Sequence, residues 1–256
     1  MCLCFSSGSG LISFYNQKLY KYLLWAVFKH TEETQYSVKM FCVSGLVVFM
    51  LVLTAEARVG SSSELEFCTD TEECLLYKQQ ICKKGEYEVR HYESAKWAST
   101  NRTTTFEIAA FFCFHDLFKY IRGENDGGHD IEMTSPVVMT IPEVPQTNLG
   151  IAMYEMSFLL PSEYQMNPPK PSKDSRVYIT ETPNRKVYVK NYNESFWKET
   201  DKGQADSLSN KLDSIGANFK RQAHHAAVYN HPFKMGKKHN EVWFVAEGEP
   251  VCFGED

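Results

Sequence analysis

Three apolar patterns organise the chain. The first is the most apolar stretch of the chain, Phe41 to Leu53, followed by Ala55-Glu56-Ala57. Its length suits the apolar region of a signal peptide and falls short of the roughly 18 residues of a membrane-spanning helix, and Ala-x-Ala is a cleavage pattern. The second is a recurrence every three or four residues: Phe106, Ala109, Ala110, Cys113, Leu117, Tyr120 and Ile121. It predicts one amphipathic helix, with Thr104 and Glu107 at capping-box spacing and Gly123 as the stop. A shorter helix is predicted through Leu208, Leu212 and Ile215, ending at Gly216. The third is alternation: Ala152, Tyr154, Met156, Phe158 and Leu160 predict a half-buried strand.

These patterns occur in two copies. At an offset of 100, Val89, Tyr92 and Trp97 recur as Val189, Tyr192 and Trp197, and each segment precedes a predicted helix. Strands are then expected at 131–137 and 151–160 in the first half, and at 228–233 and 241–247 in the second. Residues 161–171, with Pro168-Pro169-Lys170-Pro171, read as an extended polyproline-like linker between the halves. The expected fold is α+β. Two β-α-β-β halves would join their strands in one sheet or barrel, because a strand-rich half with one helix leaves apolar surface uncovered by itself.

The chain has 256 residues, a net charge of −5, 43% hydrophobic and 23% charged residues. That balance argues against disorder and against general nucleic-acid binding, which needs a basic face. Residues 40–57 are expected to be a signal peptide cleaved after Ala57, and residues 1–39 an over-extended or alternative N-terminus. Secretion follows as an expectation, with no membrane attachment once the leader is removed. The cysteines beyond the leader are then Cys68, Cys74, Cys82, Cys113 and Cys252. Cys113 falls on the helix's apolar face and reads as the free thiol. The other four, in the segment 58–84 and the tail 250–256, allow three pairings, among them a bridge from Cys252 to the N-terminal group. Asn101-Arg102-Thr103 and Asn193-Glu194-Ser195 are glycosylation sequons, relevant if the chain is secreted.

Several ordered motifs resemble the SOUL/haem-binding protein family. They are Tyr87-Glu88-Val89-Arg90-His91-Tyr92 with Lys96-Trp97, and Ile131-x-Met133-Thr134-x-Pro136-Val137. Leu160-Pro161-Ser162-Glu163, Tyr229-Asn230-x-Pro232 and Asn240-Glu241-Val242-Trp243 continue the match, placing the domain at 85–249. The resemblance implies a distorted antiparallel β-barrel of two pseudo-symmetric halves with two flanking helices. It also implies non-covalent binding of haem or a related porphyrin, without catalysis. Family members are largely intracellular, so the leader would mark a secreted carrier or scavenger. A non-haem interaction module on the same barrel is the alternative reading.

The resemblance places His91 where an axial haem ligand has been proposed in one branch of the family, and neutral imidazole is a normal iron ligand. A histidine hydrogen-bonded within the barrel is the alternative. By alternation His91 faces with Tyr87 and Val89, opposite Glu88 and Arg90. A haem pocket also needs an apolar wall and cations at its rim. Phe111, Phe112, Phe114 and Phe118 with Met133 and Met139 are candidates for the wall, against the plainer reading of ordinary core. Lys119, Arg122, Lys237 and Lys238 are candidates for the propionates. His115 and His129 read as isolated, His224-His225 as pointing to opposite faces of a strand, and His231 and His239 as lying in a turn and a loop. No C-x-x-C-H, H-E-x-x-H, G-x-S-x-G or phosphate-loop motif occurs, so no enzymatic constellation is expected.

Overall fold

A computed structural model describes residues 59–252, apart from 146, 148, 149, 232, 233 and 235 and the side chains of Lys83 and Lys84. The expected leader and the segment 1–39 lie outside the described residues. None of the described helices is long and apolar enough to cross a membrane.

Strands β1 (Val59–Ser61) and β2 (Glu73–Leu75) form a small antiparallel pair. The main sheet takes β3 (Gln79–Lys84), β4 (Tyr87–Tyr92), β5 (Ala95–Thr104), β6 (Val137–Pro142), β7 (Ala152–Leu159), β8 (Tyr178–Thr182), β9 (Arg185–Tyr192), β10 (Ala223–Val228) and β11 (Asn240–Val245). Helices α1 (Phe106–Ile121), α2 (Ser162–Gln165) and α3 (Lys198–Ser214) lie between strands. The order is β3-β4-β9-β11-β10-β6-β7-β5-β8, antiparallel throughout. The sheet curls into a half-barrel, open between β3 and β8.

The order carries a two-fold. Placing β4 on β8, β5 on β9, β6 on β10 and β7 on β11 maps it onto itself, with β3 added at one edge. The two halves expected from the sequence are therefore present, each with one more strand ahead of its helix. The match at offset 100 does not follow this symmetry. It sets β4 on β9, which are neighbours in the sheet, with Val89 opposite Tyr188. The symmetry partner of β9 is β5, the strand that leads into α1.

Alternation assigns each strand's two faces to different cores. Tyr87 and Val89 on β4, Tyr188 on β9 and Val242 and Phe244 on β11 pack against Ala205, Leu208 and Leu212 of α3. The buried stripe of α1 packs against Ala98, Tyr154, Met156 and Phe158 on β5 and β7. The opposite, inner face gathers Tyr92, Trp97, Val138, Leu159, Val189, Tyr229 and Trp243. The segment before β3 plugs it with Leu65, Cys68, Leu75 and Leu76. Each fully buried aliphatic or aromatic side chain contributes roughly 1.5–3 kcal/mol, so all three clusters matter to stability.

Four local expectations are corrected. Thr104 is not a helix cap: it ends β5, paired with Ala152, and Thr105 is the N-cap without a side-chain hydrogen bond. The strand expected at 131–137 begins only at Val137. The one expected at 228–233 is β10, which ends at Val228. Alanine and histidine mark β10 poorly, but Ala226 and Ala227 are fully buried beside β6, where small side chains fit the centre of the sheet. The linker 161–171 is docked rather than extended. Ser162–Gln165 form α2, and the Gln165 amide nitrogen donates to the carbonyls of Lys96 (3.0 Å) and Leu160 (2.6 Å). The Tyr120 hydroxyl donates to the Pro169 carbonyl at 2.7 Å.

Two disulfides join Cys68 to Cys74 and Cys82 to Cys252, and Cys113 is free and buried. The second bridge ties the C-terminal tail to β3, one of the pairings left open by the sequence. Burial pushes the Cys113 thiol up to about 11, so it is a core residue and not a reactive one.

Candidate functional site

Helix α1 has six inward residues: Phe106, Ala109, Cys113, Leu117, Tyr120 and Ile121. They pack in the seam against β5 and β7, with Ala110 partly buried beside them. Ile108, Phe111, Phe112, Phe114 and Phe118 stand on the outer side, 38–67% exposed. The plainer reading of the phenylalanines as core does not hold for these four. Their rings contact one another: Phe111 meets Phe112 edge-on at 5.3 Å, and Phe114 stacks on Phe118 at 6.0 Å and leans on Phe158 at 5.3 Å. Large exposed apolar groups gathered on one face are the informative exception in a water-exposed protein.

Cations rim this face. The Arg122 guanidinium lies 5.5 Å from the Phe118 ring centre and pairs with Asp130 at 2.9 Å. Lys119 pairs with Glu124 at 3.2 Å, and Arg102 pairs with Asp116. Both predicted propionate partners at the C-terminal end of α1, Lys119 and the C-cap Arg122, thus have an exposed acidic partner, an arrangement that binds weakly and exchanges readily. Beside α1 is a cavity of about 580 Å³, lined by Ile108, Phe112, Arg102, Thr103, Thr104 and Arg176 with Asn101. Arg176 is exposed.

The other predicted wall and ligand residues lie elsewhere. Met139 is 1% exposed inside the core under α1, and Met133 is half-buried against that core. His91 lies on β4, half-buried, between Gln79 of β3 and Lys186 of β9. Since α1 packs on β5 and β7, the structure does not bring His91 together with Phe111, Phe114 and Phe118. Lys237 and Lys238 line a different cavity, of about 650 Å³, with Phe67, Tyr77, Glu88, Arg90 and His239.

That second cavity borders a buried charge network. Arg90 is 2% exposed and donates to Glu88 (2.9 Å) and Glu241 (2.9 Å), with Tyr77 and Phe67 rings 4.9 and 5.4 Å away. Glu241 also accepts from the Trp243 indole at 2.7 Å and lies 2.7 Å from His239 Nε2. Burial alone would raise the Glu241 pKa. The Arg90 charge and the bonds from His239 and Trp243 outweigh it and hold the carboxyl at about 2. Burial pushes the Tyr92 hydroxyl, 3.2 Å from Arg90, up to about 12. These groups satisfy one another, which suits a structural network joining the inner face to its plug.

A second buried network lies under α3. His224 sits between Glu143 (2.5 Å) and Asp201 (2.7 Å), and Asp201 accepts from Tyr192 at 2.9 Å. Burial would lower the His224 pKa, but the two carboxylates raise it to about 9. His224 and His225 occupy alternate positions on β10, as predicted. Among the described residues no group of three His, Cys, Asp or Glu side chains could hold a bare metal ion.

Sequence reasoning missed Ile108 and His115 on the outer face of α1, and Arg176, which precedes β8 and lines the cavity beside it. The spacing of Ile108, Phe111, Phe112, His115 and Phe118 was a usable signal, but with phenylalanine on several sides of α1 it did not say which side faces in. The sequon residue Asn101 is half-buried, its amide donating to the Tyr178 hydroxyl at 2.9 Å, whereas Asn193 is exposed.

The model of the SOUL heme-binding protein family matches residues 72–245. Heme-binding protein 2 of Homo sapiens is 32% identical over 168 residues, covering 65% of this chain and 81% of that protein. Heme-binding protein 1 of Sus scrofa is 30% identical over 173 residues, covering 65% and 89%. Among solved structures, the EcmrR C-terminal domain superposes with a TM-score of 0.50 at 8% identity, covering 63% of this chain and 97% of that one. That likeness concerns the fold alone.

Proposed function

The chain belongs to the SOUL heme-binding protein family, and we propose that it binds haem or a related porphyrin non-covalently, as a non-enzymatic carrier or scavenger outside the cell. One observation carries the reading: the outer face of α1 leaves Phe111, Phe112, Phe114 and Phe118 uncovered, beside a cavity with a basic rim. A porphyrin is a flat apolar plate with two anionic propionates, and its iron offers axial coordination when haem is bound. Phe112 and Ile108 line the cavity with Arg102 and Arg176, and Phe111, Phe114 and Phe118 continue the apolar wall along α1 toward Lys119 and Arg122. The cavity size falls in the range typical of small-molecule sites.

His91 is the ligand the family resemblance suggests, although its strand neighbours, Gln79 and Lys186, offer a plate no apolar wall. The two disulfides support an oxidising compartment. Identification of the N-terminal peptide of the mature product tests the leader: a start near Arg58 is expected, and a secreted product retaining Trp25 would overturn it.

The direct test is titration of the purified protein with ferric haem, followed in the Soret region. A saturable one-to-one change is expected, weakened at least tenfold by Phe111→Ser with Phe118→Ser. No saturable change would remove the haem reading and favour a protein-interaction module on the same barrel.

A further inference from the structure

Within the porphyrin reading, on which this inference rests, we propose that His115 is the axial ligand of the haem iron. His115 is exposed on α1. It stands four residues after Phe111, three after Phe112 and three before Phe118, so it neighbours all three on the helix surface. An imidazole among phenylalanine rings suits a flat aromatic chelate of iron. The rings would seat the plate, and a ring nitrogen would supply a ligand to the iron. No hydrogen bond or ion pair engages the His115 side chain among the described residues, so a ring nitrogen is available to coordinate iron.

Charge complementarity selects the same occupant. Arg176 is exposed, forms no ion pair among the described residues, and shares a cavity wall with Ile108 and Phe112. A porphyrin on the face therefore has one unneutralised guanidinium for a propionate, Arg102 on the same wall being paired with Asp116. His91 has no comparable setting. Its cross-strand neighbours are Gln79 and Lys186, and Lys186 is engaged by Glu249 at 2.5 Å.

The test compares ferric haem with metal-free protoporphyrin IX on the wild-type protein and on His115→Ala, His91→Ala and Arg176→Ala. His115→Ala is expected to shift the Soret maximum and weaken haem at least tenfold, while protoporphyrin IX stays within twofold of wild type. Arg176→Ala should weaken both ligands alike, and His91→Ala neither. All three side chains are at least partly exposed, so the variants should fold, which circular dichroism checks. Saturable haem binding with an unchanged spectrum in His115→Ala overturns this inference and leaves the porphyrin reading standing. No saturable binding of either ligand overturns both, and binding of phosphatidylserine-containing vesicles in its place would make the face a membrane surface.

Discussion

Replacing Arg90 by methionine removes the cation from the centre of the inner face. Glu241, 0% exposed, and Glu88, 6% exposed, would then be left without the guanidinium that now reaches both. Breaking a buried ion pair by deleting one partner costs about 3–5 kcal/mol, because the surviving charge stays desolvated. Glu241 keeps its bonds to Trp243 and His239, which places the expected loss near the lower end, about 3 kcal/mol. Adding Glu241→Gln should recover part of that loss, since the second carboxylate is removed with the first cation. Urea unfolding at pH 7 of the wild type, both single variants and the double variant measures the coupling. A loss below about 1 kcal/mol in Arg90→Met would refute the claim that this network is buried and mutually dependent. The folded fraction of Arg90→Met should still titrate haem like wild type, because Arg90 and the α1 outer face lie on opposite sides of the sheet.

Other outcomes follow from the same geometry. The folded-state pKa of His224, about 9, lies above its ordinary value of 6.5. The stabilisation is therefore fully present below pH 6.5 and lost as pH rises through about 9, a change on the order of 3 kcal/mol in urea unfolding; His224→Asn should flatten that slope. Removing the Cys82–Cys252 bridge, whose ends are 170 residues apart, should cost about 5 kcal/mol by loop entropy, against about 2 kcal/mol for Cys68–Cys74 with a separation of 6. Thermal unfolding of the two double-serine variants compares them, and equal losses would reject the loop-length argument. Leu117→Ala should destabilise by roughly 2–5 kcal/mol, since Leu117 is fully buried, whereas Phe111→Ser should stay within about 0.5 kcal/mol and raise solubility.

The candidate site shows where local pattern stops being informative. Helix α1 was legible from Phe106 to Ile121 because its inward residues recur every three or four positions. Phe111, Phe112, Phe114 and Phe118 were legible as a candidate exposed edge of the helix, but their spacing did not decide between a pocket wall and ordinary core. A helix with phenylalanine on more than one side does not declare which side meets the sheet. His115 was set aside as isolated because its partners are defined by the exposed side and not by chain neighbours. The strand β10 was displaced for a related reason. Ala226 and Ala227 carry little strand preference, and only the close approach of β6 at the middle of the sheet makes small residues fit there.

By itself the sequence determined the α+β class, the main helix, the apolar-face position of Cys113 and the family motifs, which rest on periodicity and spacing within short segments. The two halves were also expected, but from a match at offset 100 that sets β4 on its sheet neighbour β9 and not on its symmetry partner. Tertiary structure alone decided the strand order, the choice among cysteine pairings, and the meeting of Arg90 with Glu241 across 151 residues. It also decided which apolar side of α1 is covered. The seam against β5 and β7 fully buries six side chains of α1, and the phenylalanines left largely outside it are the surface from which the function is inferred.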